Sequence, residues 1–347
     1  MKFFHISHND LDGYACQFAS SKYILDGRFF NCNYGQEAKN AINQVLSELA
    51  KLDDNDEAFF LITDLNPTFT ECKELHDKIE ELSKNGKKIK LQLLDHHISG
   101  EKNAAQFDWY FLDVNRCAAK ITYDYFVDQF GECNDCANFS AFIDCVNSVD
   151  IWLENSEYFE FGKVLMRMIS GANEINSTLF ADANRDYRFH LLHCGGEYLV
   201  NNKNNIELDN NVHFLKKRFL MIDDNDDTID NLMSKRLVFM LKQNQENLSV
   251  FYGKQKGIVT FGLGNISIPA NAFLKENSDF DFFIDVGKKG NVSMRAAGNL
   301  DVSKLCAKIA NGGGHKNASG GRFDDFSENF NYDDVRKFVQ HKLDTKG

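Results

Sequence analysis

Apolar and polar positions come in blocks along the first hundred residues. "KFFHIS" (2–7), "EAFFLITD" (57–64) and "KIKLQLLD" (88–95) are short runs rich in Phe, Leu and Ile, and they predict strands. Between them, "GYACQFASSKYILDG" (13–27), "AKNAINQVLSELAKL" (38–52) and "FTECKELHDKIEELSKNG" (69–86) carry apolar residues at helical spacing, the last ending in the helix-stop residue Gly86. Segments 116–130, 139–147 and 162–170 also read as helices. Strands alternating with helices of this length predict parallel pairing with crossover helices. Over 196–247 the pattern changes: polar "NNKNNIELDNN" and "DDNDDTIDN" surround "VHFLKKRFLMI" and "LMSKRLVFMLK", a linker with one or two helices. Strand patterns then return in "SVFYG", "GIVTFG", "FDFFIDV" and "NVSMRAA", with a helix over 301–310. The expected fold is α/β: an N-terminal domain (1–195) with a mainly parallel sheet flanked by helices, a helical linker (196–247), and a smaller mixed-sheet α/β C-terminal domain (248–347). No internal repeat is visible.

The polar residues that interrupt this pattern sit at strand ends. "SHNDLDG" follows the first strand and carries His8, Asp10 and Asp12; the chain is expected to leave the strand past Ile6, with Gly13 opening the next helix. "LITDLN" puts Asp64 after the second run, and "QLLDHHISG" puts Asp95, His96 and His97 after the third. Each has an ordinary explanation alone, since Asp after a strand often caps a helix. Parallel strands, however, leave their carboxyl ends on one edge, where ligands bind. Three such features at equivalent positions converge there. Carboxylates and imidazoles without thiolate suit hard to borderline divalent ions. Four Asp and two His would hold two ions with one carboxylate bridging them, an arrangement used for phosphate-ester hydrolysis.

Composition narrows the partners. The net charge of the 347-residue chain is −12, from 39 basic and 51 acidic residues, which argues against coating long nucleic acid and for a small anionic substrate. The balance reverses between Gly287 and Arg322, where seven basic residues face one acid, Asp301. Within it, "NGGGHKNASGGRF" sets Gly312, Gly313 and Gly314 before His315. Glycines allow close approach and positive φ, so N–H groups can face an anion, and a helix start there would add to it. Arg295 ends "NVSMRAA" and can grip phosphate bidentately. Nine cysteines without an export signal read as reduced cytosolic thiols; Cys133 and Cys136 form a lone C-x-x-C that reads as two ordinary thiols rather than a zinc knuckle. No run of 18 apolar residues suggests a membrane span.

"SHNDLDG", "TDLN", "DHH" and "SVDIW", in that order, resemble the successive motifs of the DHH phosphoesterase superfamily, and "NGGGHKNASGGRF" resembles the signature of its associated C-terminal domain. The "HNDLDGY" form and the length are similar to oligoribonuclease type B, the nanoRNases or cyclic-nucleotide phosphodiesterases. The resemblance implies a cytoplasmic hydrolase with two Mn2+ ions, Mg2+ or Co2+ being alternatives. His8 and Asp10 would bind one ion, Asp12, His96 and Asp150 the other, with Asp64 bridging them. His97 would lie by the substrate phosphate, and Asp95 would support a neighbouring His. In some branches Asp replaces His8, and Asp144 competes with Asp150. Arg295, His315 and the glycine-rich backbone would hold the substrate's terminal phosphate or nucleotide, and Arg116 in "NRCAAK" is a further phosphate candidate. Many members carry a small hydroxyl-rich stretch where this chain reads "NRCAA". The implied activity is hydrolysis of short RNA or DNA oligonucleotides to nucleoside monophosphates by a metal-bridging hydroxide, with no long duplex and no membrane as partner, and with a homodimer an open option. Alternatives are a cyclic mono- or dinucleotide phosphodiesterase, a 3′-phosphoadenosine 5′-phosphate phosphatase, a single-strand DNA exonuclease, or a non-catalytic nucleotide sensor.

Overall fold

The structure, a computed structural model, describes residues 1–347 except 54–55, 133–135, 202–203, 224, 328–330 and 347. The Cys133–Cys136 motif therefore lies partly outside the described residues. Two compact units are formed, one by residues 1–172 and 185–216, the other by 173–184 and 217–347. The stretch 196–247 is divided between them.

The first unit contains β1 (Lys2–His8), α1 (Leu11–Ser21), β2 (Gly27–Cys32), α2 (Gln36–Leu49), β3 (Glu57–Thr63), α3 (Phe69–Lys84), β4 (Lys88–Asp95), α4 (Glu101–Gln106), β5 (Tyr110–Leu112), α5 (Ala118–Phe130), α6 (Cys136–Asp150) and α7 (Phe159–Ser170). Helices α8 (Ala181–Val200) and α9 (Asn205–Leu220) follow, each containing a unit boundary. The strands pair in the order β2-β1-β3-β4-β5, all parallel. Alternation along the strands separates two cores. Phe4, Ile6, Phe60, Ile62 and Leu93 pack with Val45 and Leu49 of α2 and Leu75 and Ile79 of α3. Phe3, Phe59, Leu61 and Leu94 pack with Ile121 and Phe126 of α5. Burial on both faces explains why these strands read as near-continuous apolar runs. His5, a polar residue inside β1, is fully buried but hydrogen-bonds Ser20 and Thr63, and burial drives its pKa down to about 3. The chain steps from β1 outward to β2 and then back across to β3. The crevice at the carboxyl ends of β1 and β3 is thus a topological switch point.

The second unit holds α10 (Ile229–Gln243), the short α11 (Gln245–Leu248), β6 (Ser249–Tyr252), β7 (Gln255–Phe261), α12 (Ser267–Glu276), β8 (Phe282–Val286), β9 (Asn291–Ala296), α13 (Val302–Ala310), β10 (Gly313–His315), β11 (Ala318–Arg322) and α14 (Tyr332–Lys346). Its sheet runs β10-β11-β9-β8-β7-β6 and is antiparallel except at β7 and β8. Val259, Phe282, Ile284 and Met294 form its core with Leu305 and Ile309 of α13 and Val335 and Val339 of α14. Among the described residues no helix is long and apolar enough to cross a membrane.

Candidate metal centre

The site grows from the carboxyl edge of the parallel sheet. β1 continues to His8, and α1 begins at Leu11 rather than Gly13. Asp10 is the N-cap of α1, its Oδ1 accepting from the Gly13 N–H at 3.0 Å. Gly13 lies in the first turn instead of opening it: a Cβ there would stand 2.1 Å from the His8 carbonyl oxygen, so only glycine lets the helix sit against the strand end. One turn of chemistry follows. His8 Nδ1 is 2.8 Å from Asp10 Oδ2 and 3.6 Å from Asp64 Oδ2. Burial opposes charging of His8, but the close contact with Asp10 and the charges of Asp10 and Asp64 outweigh it and raise its pKa to about 10.

Asp12 points inward, where both oxygens are held by the start of α5: Oδ2 accepts from Ala118 N–H and Oδ1 from Ala119 N–H, each at 2.8 Å. Asp64 follows β3 with a left-handed backbone, φ 55°. Its Oδ1 lies 3.4 Å from His96 Nε2. Its Oδ2 is buried and has no hydrogen-bond partner. His96 Nε2 also stands 3.8 Å from Asp12 Oδ2 and 3.7 Å from Asp150 Oδ2, so one imidazole nitrogen faces three carboxylates. Asp150 is the last residue of α6, and Trp152 just beyond it has φ 58°. Among the described residues, the three non-glycine residues with positive φ, Asp64, Trp152 and Asn311, all fall inside the motifs, as strain concentrated at functional sites does.

The electrostatics describe a cluster built for cations. Burial and the charge of Asp64 push Asp12 up to about 7, and burial and the charge of Asp12 push Asp150 up to about 8. Burial also raises Asp64. His96 rises to about 9, its three carboxylates overcoming burial. Without a counter-charge these groups hold protons that a divalent ion would displace. An orphaned buried carboxylate oxygen at the middle of the cluster is a further cost that a cation removes. His8–Asp10–Asp64, Asp64–His96–His97 and Asp12–Cys117–Asp150 each bring ligand atoms within 4.8 Å of one another. Carboxylate and imidazole donors in this number fit divalent ions.

Asp95 is the buried anchor behind the site. Its Oδ1 accepts from His96 N–H (2.8 Å), His97 N–H (3.2 Å) and His97 Nδ1 (2.7 Å), and its Oδ2 from the Tyr110 hydroxyl (2.6 Å). The bond to Asp95 raises the His97 pKa. His97 thus keeps Nε2 outward, 3.2 Å from the Tyr34 hydroxyl. Tyr34 also lies over His8, ring centroids 4.6 Å apart. Neither Tyr34 nor Cys117 stood out in the sequence; both reach the site through tertiary contacts.

Two candidates have partners of their own. Arg116 donates from Nε to Asp113 Oδ2 at 2.7 Å and from Nη1 to Asp124 Oδ2 at 2.5 Å, so two of its three guanidinium nitrogens hold neighbouring carboxylates. Asp144 faces Lys120 Nζ at 3.5 Å and belongs to none of the three groups.

In the second unit no helix starts at the glycines. α13 ends at Ala310, Asn311 turns with φ 47°, and Gly313–His315 form the exposed edge strand β10. Register pairs Arg295 with Ala318 and Ala318 with His315, which sets Arg295 and His315 in one cross-strand row on one sheet face, about 10 Å apart, with a small side chain between. The Arg295 guanidinium donates to Ser267 Oγ and the Met294 carbonyl, both at 2.9 Å. Lys288, Lys289, Lys304, Lys308, Lys316 and Arg322 of the basic segment are exposed.

No family model matches the chain. A curated protein from Helicobacter pylori (strain ATCC 700392 / 26695), a 3′,5′-cyclic-nucleotide phosphodiesterase, is 42% identical over 342 residues, covering 98% of this chain and 98% of that protein. The crystal structure of an uncharacterized protein from Helicobacter pylori G27 matches with a TM-score of 0.91 and 42% identity, over 99% of this chain and 100% of that one.

Proposed function

The chain belongs to the DHH phosphoesterase superfamily and is a phosphodiesterase, and on that footing we propose that it hydrolyses short oligonucleotides to nucleoside monophosphates at a two-cation centre. The observation that carries the reading is the convergence of His8, Asp10, Asp12, Asp64, His96 and Asp150 at the switch point of the parallel sheet. His8 and Asp10 would hold one Mn2+, Asp12, His96 and Asp150 the other, with Asp64 shared. When bound, the two ions acidify water and balance charge on the phosphoryl oxygens.

The protein's own groups do the rest. Asp95 fixes the His97 tautomer so that Nε2 faces out of the site, able to donate to a phosphate oxygen in its charged form. Tyr34 holds the planes of His8 and His97 through its ring and hydroxyl. The row of Arg295 and His315, with the backbone around Gly312, Gly313 and Gly314, would bind a substrate phosphate or nucleotide. Net charge of −12 favours a short substrate over a polymer, whose sequence-independent grip needs a long basic track.

A second reading, hydrolysis of 3′,5′-cyclic nucleotides, is favoured by the name of the Helicobacter relative. It breaks the same type of bond. A panel of di- to decanucleotides, cyclic mono- and dinucleotides, 3′-phosphoadenosine 5′-phosphate and pyrophosphate, run with Mn2+, separates the two. Turnover fastest on di- to pentanucleotides supports the first reading. Cyclic mononucleotides turned over at least tenfold faster than dinucleotides would replace it with the second, and equal rates on long RNA and dinucleotides would overturn the short-substrate claim.

A further inference from the structure

The thiol of "NRCAA" is not used by the chemistry above. Cys117 is the N-cap of α5, and its N–H donates to Asn147 Oδ1 at 2.9 Å. Its side chain is fully buried and forms no disulfide. The next two amides, of Ala118 and Ala119, are those that hold the Asp12 carboxylate. Thiol and carboxylate are therefore fixed relative to each other through a few bonds of backbone. Cys117 Sγ, Asp12 and Asp150 bring ligand atoms within 4.8 Å of one another.

His96 Nε2 lies beside the two carboxylates of this group, 3.8 Å from Asp12 Oδ2 and 3.7 Å from Asp150 Oδ2. Asp64 Oδ1 stands 3.4 Å from the same nitrogen. Tetrahedral coordination with bonds of about 2.0–2.3 Å spaces the donors by about 3.3–3.8 Å, the range of the two measured separations. The donors are two carboxylate oxygens, one imidazole nitrogen and one sulfur. Hard Mn2+ is served by the oxygens and nitrogen and has little use for the sulfur, whereas Zn2+ and Cd2+ favour thiolate.

We propose that Cys117 makes this half of the centre a mixed oxygen, nitrogen and sulfur site that captures a thiophilic divalent cation, Zn2+ or Cd2+, in competition with Mn2+. The S–H bond breaks, its proton passes to solvent, and the sulfur lone pair forms the bond to the metal. No oxidation state changes. The inference rests on the reading of Asp12, His96 and Asp150 as metal ligands. A hydroxyl in place of this thiol would give no such selectivity.

The test uses the full chain, stripped with a chelator and titrated with Cd2+ or, in parallel, with Mn2+. One Cd2+ per chain is expected to raise the ultraviolet charge-transfer absorption of a cadmium–thiolate bond. Cys117→Ser and Cys117→Ala should both abolish that band and weaken Cd2+ binding at least tenfold, with Mn2+ affinity moving less than threefold. Cys16→Ser, which removes another buried thiol one turn beyond Asp12, should keep the band. On the unmutated protein, a 113Cd resonance displaced toward that of a site with one sulfur ligand gives the same answer without a variant. A band that persists in both Cys117 variants, or Mn2+ binding with no band in the unmutated protein, overturns the inference and leaves the metal-centre reading standing. Failure to bind either ion overturns both.

Discussion

Loading the centre with divalent cations at pH 7 should expel about three protons per chain. With pKa values raised to about 10 and about 9 by their carboxylate partners, against burial, His8 and His96 each carry a proton in the metal-free protein. Asp150, lifted to about 8 by burial and Asp12, is mostly protonated, and Asp12, lifted to about 7 by burial and Asp64, is about half protonated. Ligation needs neutral imidazole and ionised carboxylate, so these protons must leave, and they sum to roughly three. The sign follows: the metal-free form holds protons that the loaded form lacks, so affinity rises with pH. At pH 9 only the proton of His8 and about half of that of His96 remain, so release falls to roughly one and a half. Calorimetric Mn2+ titration in buffers of equal pH and different ionisation enthalpy counts the protons directly. Release below one at pH 7, or release that grows toward pH 9, would refute the assignment of these four residues to the metal.

Further outcomes follow from single side chains. Asp64→Asn should cut turnover by roughly a thousandfold or more, because it removes the carboxylate that faces both His8 and His96. Tyr34→Phe keeps the ring on His8 and loses the bond to His97, so turnover should fall by about three- to tenfold, the worth of one neutral hydrogen bond, with the pH profile displaced. Arg295→Ala should raise KM about tenfold or more, while Arg116→Ala leaves KM unchanged and costs under about 1 kcal/mol in denaturant titration. A Cβ at Gly312 would stand 2.1 Å from the Gly320 carbonyl oxygen, so Gly312→Ala should cost about 1–3 kcal/mol, whereas Gly313→Ala meets nothing and should be neutral in thermal melts.

The sequence reveals those parts of the fold that bury both faces. β1, β3 and β4 announce themselves as apolar runs, and each hands a His or Asp to the same edge. β2 is missed because "GRFFNC" is an edge strand with mostly half-buried residues, and β5 because three residues make no pattern. α8 carries Gly195 and Gly196, α12 contains Pro269, and α14 is largely polar, so none shows a clear helical stripe. The choice between Asp144 and Asp150 needs the helix itself. Six residues turn α6 by about 240°, which sends Asp144 to Lys120 and Asp150 to His96. Tyr34 is illegible for a related reason: it reaches His8 only because β2 pairs with β1 in the register His8↔Cys32.

The most direct test of the account is anomalous diffraction from crystals of the full chain grown with Mn2+, recorded at the manganese edge. Two peaks are expected, one against His8 and Asp10, the other against Asp12, His96 and Asp150, with Asp64 between them. Absence of any peak at these residues, or manganese bound only elsewhere on the chain, would contradict the metal-centre reading.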